Sequence, residues 1–278
     1  MQKIVDITDG TTRHPDFRMA APLNFRLFKG GHMAVCGPNG GGKSFLVEII
    51  RNARPLLGDQ PVYDFSPSPS SHVSENIAYI SFRDAYGVYE PAYYQQRWNK
   101  GTEEEFPTIG ALLGGNGVLS DNPDIPPYIR ELLEDIGIEK HAGKSINLLS
   151  SGELRRFQLT KALLSAPQLL IIDNPFIGLD VPGRQMLTNI LEKLSRHITI
   201  LLVVSRPADI PAFIQEVVHV EGLAVSPTRP REVYLRQAKK PDAVPESDIS
   251  IPQALHGNDR DAGTAVVDLH NVTIAYGN

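Results

Sequence analysis

The sequence predicts an α/β fold with a mainly parallel sheet covered by helices. Three observations carry this. Short apolar runs alternate with helical patterns through residues 1–222. A glycine-rich loop lies between one such run and a helix. A fully apolar run, Leu169 to Ile172, ends on Asp173, which places a carboxylate at the strand edge where open α/β sheets bind ligands.

The strands expected in order are "MAVC" (33–36), "IAYI" (77–80), "LLII" (169–172) and "ITILLVV" (198–204). Each is strand-length, apolar and bounded by polar or turn residues. Helices are expected over about 43–54, 126–136, 152–165 and 183–195. The stretch from 84 to 147 is the least regular, with "LLGGNG" and "SDNPDIPP" as turn signals. It reads as an inserted helical subdomain, which spans about 84–165 when the helix from 152 is included. Residues 223–265 are rich in proline and charge, the composition of a linker. "VVDLHNVTIAYGN" (266–278) returns to strand-like alternation and reads as the opening strand of a further domain.

Composition narrows the classes of function. With 278 residues, 41% of them hydrophobic, the chain can bury one large α/β core or two small ones. The apolar runs are too short to span a bilayer, and "MQKIVDITDG" lacks the apolar core of an export signal. A single cysteine, Cys36, excludes an internal disulfide and a multi-cysteine zinc module. A reducing, cytoplasmic location fits. The net charge of −5 argues against nucleic acid as a specific partner.

Three segments carry the chemistry. "GPNGGGKS", Gly37, Pro38, Asn39, Gly40, Gly41, Gly42, Lys43 and Ser44, has the spacing of a phosphate-binding loop between a strand and a helix. Its glycines let backbone N–H groups turn onto phosphate oxygens, Lys43 reaches the terminal phosphates and Ser44 can ligate magnesium. Asp173 is the natural second ligand for that metal. In "LLSSGELRR" (148–156), Ser150 and Glu153 have capping-box spacing, and Ser150, Ser151 and Gly152 at a helix start also form an anion-binding surface.

In this order the segments resemble the ATP-binding cassette family. "GPNGGGKS" resembles Walker A, "LSSGE" (149–153) the signature, "LLIID" (169–173) Walker B and "IGLD" (177–180) the D-loop, with Asp180 closing it. The resemblance covers residues 1–222. It implies a P-loop NTPase cassette with an antiparallel β edge, and Mg-ATP held between this chain's Walker motifs and a partner's signature. That partner is a second cassette of the same protein or a homodimer mate. An aromatic near the N-terminus is implied to stack on adenine, with Phe17 and His14 as the candidates. Tyr276 would play that part in the domain opening at 266. "YISF" through "YYQQRWNKG" (79–101) is loosely similar to molybdenum-transport tandem cassettes, which implies a membrane permease as partner and peripheral attachment at the inner face of the membrane.

The departures matter as much. The family's catalytic glutamate is replaced by Asn174, its switch histidine by Arg206 and its coupling glutamine by Phe82. An amide can orient water but cannot take its proton, and general-base catalysis typically supplies about 10²–10⁴-fold. The expectation is a transport-system ATPase half that holds ATP better than it cleaves it. The alternatives are a non-transport twin cassette acting on ribosomes and a non-hydrolysing nucleotide sensor.

Overall fold

The computed structural model describes residues 2–14, 18–82, 106–114 and 125–238. Its centre is a sheet in which β9 (Glu216–Glu221), β3 (Met33–Cys36), β8 (Thr199–Val204), β7 (Leu169–Asp173) and β6 (Ile77–Ser81) run parallel in that spatial order. Every residue of β3, β7 and β8 is buried. A parallel strand covered on both faces must be apolar throughout, which is why these runs were legible.

Alternation along the strands divides the core in two. Ala34, Leu170, Ile172, Leu202 and Val204 face one layer, and Met33, Val35, Ile171, Leu201 and Val203 the other. The second layer is closed by α1 (Lys43–Ile50) and by an antiparallel pair, β1 (Lys3–Thr12) and β2 (Leu23–Phe28). The short β4 (Leu56–Leu57) and β5 (Val62–Tyr63) also pair with β1. This is the antiparallel edge. A four-residue helix, α2 (Val73–Asn76), leads into β6.

The described residues between β6 and β7 are mainly helical: α3 (Ile109–Leu112), α4 (Pro127–Ile136) and α5 (Ser151–Leu163). Ile129, Leu132, Leu133 and Ile136 give α4 one buried stripe, and Gly137 ends it at φ 65°. The packing of Phe157, Leu159 and Leu163 ties α5 to the first layer. Helix α6 (Val181–Leu194) crosses from β7 to β8.

Residues 223–238, expected as linker, are folded. The hairpin strand β10 (Ala224–Val225) and the short β11 (Arg229–Pro230) both pair with β9, and α7 (Arg231–Ala238) buries Tyr234 in the first layer. Leu235 packs against the same layer, and Arg231 donates to the Ile210 and Gln215 carbonyls, so few apolar residues suffice to hold this charged segment. The rest of the expected linker and the strand at 266–278, with Tyr276, lie outside the described residues.

Candidate functional site

Register sets the site. Cys36 pairs with Val204, and Val203 with Asp173. The loops leaving β3, β7 and β8 therefore emerge together at the C-terminal edge of the sheet.

The loop after β3 passes tightly over the β9–β10 turn. A Cβ on Gly37 would lie 2.0 Å from the Val220 carbonyl oxygen, so no other residue fits that backbone. Gly42 caps α1 at φ 106°, a conformation that side chains disfavour. The Leu223 N–H donates to the Gly41 carbonyl at 2.9 Å and locks the loop to the turn. Lys43 is 4% exposed, and its ammonium donates to the Gly37 and Pro38 carbonyls at 2.7 and 2.8 Å. The charge is thus held over the loop's own backbone, where a phosphate would be cradled. Pro38, Asn39, Gly40 and Ser44 are exposed.

Asp173 is 2% exposed. The Asn174 amide nitrogen donates to its Oδ1 at 2.6 Å, and the Tyr79 hydroxyl to its Oδ2 at 3.4 Å. The Arg51 guanidinium lies 4.2 Å from the Tyr79 ring centre. Burial and the neighbouring Asp173 carboxylate push the Tyr79 hydroxyl's pKa up, so it stays a donor. Asp173 and Ser44 offer two hard oxygen donors. This donor set suits a magnesium that completes its shell with phosphate and water, since magnesium uses few protein ligands. Among the described residues no cluster of three or more His, Cys, Asp or Glu is placed to hold a metal.

Asn174 sits at φ 53°, in the left-handed region that asparagine tolerates better than most residues. Its N–H donates to Val203 O at 2.8 Å. Its side-chain oxygen lies 3.4 Å from the Ser205 hydroxyl, which donates to Asn39 Oδ1 at 2.8 Å. Ser205 thus links the phosphate loop to the residue after Asp173. The three border an open pocket of about 640 Å³ that Phe176, Arg184 and Arg206 also line.

Arg206, which lines this pocket, is also paired with a neighbouring carboxylate. Its side chain is 62% exposed and forms two 3.0 Å bonds to Asp209. The reason is local: Pro207 opens a 3₁₀ turn that brings Asp209 back beneath Arg206. Asp209 is also bound by Arg184 at 2.8 Å. Ser205, the first residue after β8, lines the same pocket, as the end of the apolar run at Val204 could have indicated.

Ser150 caps α5, and the capping box is complete in both directions. Glu153 receives the Ser150 N–H at 2.7 Å and the Lys144 ammonium at 2.8 Å. The Lys144 bond first, and the Ser150 N–H next, bring its carboxyl pKa down to about 2. Ser151 is exposed, and a Cβ on Gly152 would meet nothing within 4 Å, so the helix start is open to a ligand. Asp180 caps α6 through the Gly183 N–H at 2.9 Å. Phe82 is 7% exposed and packs into the core. His14 is exposed just beyond β1, while Phe17 lies outside the described residues.

A depressed carboxyl pKa stabilises the fold above the unfolded value and loses that contribution as pH falls through the folded value. The stability gap between wild type and Glu153→Gln is therefore full above about pH 4.5 and closes towards about pH 2. Chemical denaturation of both proteins across that range measures it.

A parallel sheet with a glycine loop on one strand end and a buried aspartate on another defines a P-loop nucleotide-binding cassette. The family model for ABC transporter matches residues 20–177, and the chain belongs to that family, as an ABC ATPase cassette. It is similar to the uncharacterized ABC transporter ATP-binding protein C323.04 of Schizosaccharomyces pombe, 25% identical over 285 residues, which cover 99% of this chain and 56% of that protein. It is also similar to the ABC transporter ATP-binding protein ModF of Escherichia coli, 29% identical over 240 residues, which cover 84% of this chain and 46% of ModF. The chain spans about half the length of these curated relatives. Among solved structures, cbiO1 of Clostridium perfringens, described as part of the ABC transporter complex cbiONQ, shares the fold. Its TM-score is 0.64 at 19% identity, over 86% of this chain and 93% of that one. Among the described residues no helix is long and apolar enough to cross a membrane.

Proposed function

We propose that this chain is the ATP-holding half of a twin-cassette ABC ATPase, with weak hydrolysis at its own Walker site. The observation that carries the reading is the trio Asn39, Asn174 and Ser205. The Ser205 hydroxyl donates to Asn39 Oδ1 at 2.8 Å and lies 3.4 Å from Asn174 Oδ1 beside Asp173, and none of the three can accept a proton at neutral pH. Lys43 and the loop amides bind the ATP phosphates, while Ser44 and Asp173 hold the magnesium, which would neutralise phosphate charge. Asn174 and Ser205 orient water or the terminal phosphate without activating either, a positioning role that amides do fill in phosphoryl transfer.

Ser150, Ser151 and Gly152 serve the partner's ATP. Exposed apolar residues flank both contact segments, Leu148 before the signature and Ile177 and Val181 around the D-loop. A partner cassette would cover them. The opening strand read at 266–278, and relatives about twice as long, support a second cassette in the same protein over a homodimer mate. A membrane permease is the partner if the assembly serves transport. The burial of Phe82 removes the coupling glutamine's polar reach and favours a non-transport use of the same pair of sites.

ATP binding is tested by thermal shift. A ligand that binds only the native state raises the melting temperature by mass action. Mg-ATP should stabilise wild type by about 2.7 kcal/mol at one hundred times Kd and leave Lys43→Ala nearly unmoved. Equal shifts in the two would refute the assignment.

A further inference from the structure

We infer that Arg155 is a positioning residue that couples this chain's own nucleotide site to its signature helix. Arg155 lies one turn into α5 and is only 6% exposed. Its Nε donates to the Pro175 carbonyl at 3.1 Å, and an Nη donates to the Ile177 carbonyl. The other Nη reaches back to the Ser151 carbonyl at 3.4 Å, and the guanidinium carbon lies 5.0 Å from the centre of the Phe82 ring. Phe82 in turn donates its N–H to the Asp173 carbonyl at 3.2 Å.

One side chain therefore joins the signature helix, the turn after Asp173 and the strand exit at Phe82. Among the described residues its partners are carbonyls and an aromatic face. Taking a charge out of water is costly, and burial accordingly pushes the Arg155 pKa down. A guanidinium with two prongs on carbonyls two residues apart also fixes the turn's orientation, which a single-point donor cannot do. The Arg184 Nε on α6 donates to the Leu179 carbonyl at 3.2 Å. The turn from Asn174 to Leu179 is thus held between α5 and α6. A shift of Asp173 and Asn174 towards a bound nucleotide pulls the Pro175 and Ile177 carbonyls, and Arg155 passes that movement to α5, which carries the residues offered to the partner.

The coupling rests on the proposed ATP binding, and hydrogen–deuterium exchange separates the two. Wild type, Arg155→Lys and Arg155→Gln are compared with and without Mg-ATP. Arg155 borders a pocket of about 270 Å³ that can admit water to the vacated space, and the lysine variant keeps charge and stem, so the variants should fold. In wild type, Mg-ATP should slow exchange both at residues 37–46 and at residues 154–160. In the variants, protection of 37–46 should remain, with ATP affinity within about twofold, while the ATP-dependent change at 154–160 disappears. A purely structural role would speed exchange of α5 equally with and without ATP and leave the ATP-dependent difference intact. Persistence of that difference in either variant overturns the inference, as does its absence in wild type when 37–46 is protected. If ATP protects neither region in wild type, the ATP-binding reading falls and this inference falls with it.

Discussion

In the assembled protein, the double change Asn174→Glu with Ser205→His should raise ATP cleavage at this chain's Walker site by about 10²-fold or more, the typical worth of a restored general base. The gain comes from replacing an amide and a hydroxyl by a base and an imidazole that can hold it and the phosphate. Ser205 is the position for the histidine because its hydroxyl already lies between Asn39 and Asn174. Arg206→His should not raise the rate, since Arg206 is turned towards Asp209. Asn174→Glu alone should gain less and also lose about 1 kcal/mol of stability, because glutamate tolerates φ 53° worse than asparagine. Single-turnover phosphate release from the four proteins checks this, and an equal gain from Arg206→His would assign the position to Arg206.

Ser151→Arg should lower turnover in the full protein on the order of 10²-fold, the usual loss when a preorganised anion contact is removed. Ser151 is exposed at the first turn of α5, beside a Gly152 with open space around it. A long cation there covers the free N–H groups and blocks the partner's phosphates sterically. Lys43 lies in a separate segment, so ATP affinity at this chain's Walker motifs should hold within about twofold while the partner's site fails. Equilibrium nucleotide binding and steady-state turnover, measured together, separate the two effects. Unchanged turnover would remove the two-site arrangement.

Legibility in the sequence followed burial. The strands ending at Cys36, Asp173 and Val204 were readable because covered parallel strands are continuous apolar runs. β1 and β2 were harder, since half of each faces outward and polar residues such as Asp6, Asn24 and Arg26 interrupt them. β9 was obscured by Glu216, His219 and Glu221. At the candidate site, Lys43, Ser44 and Asp173 are proposed from spacing, because the chemistry demands fixed offsets from strand ends, and Asn174 from the family resemblance. Ser205, Arg155, Arg184 and Asp209 come from neither. Their roles depend on which carbonyl or carboxylate the fold brings within 3 Å or so, and no local pattern encodes that. Arg206 shows the same limit: the turn at Pro207, not the residue type, decides where its charge goes.

The central claim is that this chain holds Mg-ATP at Lys43, Ser44 and Asp173 and cleaves it slowly. The direct measurement is to load the purified chain with radiolabelled Mg-ATP, remove free nucleotide, and identify what remains bound over time. The account predicts close to one nucleotide per chain, recovered chiefly as ATP, and almost none retained by Lys43→Ala. Prompt conversion to ADP and phosphate in wild type, or equal retention by Lys43→Ala, would contradict it.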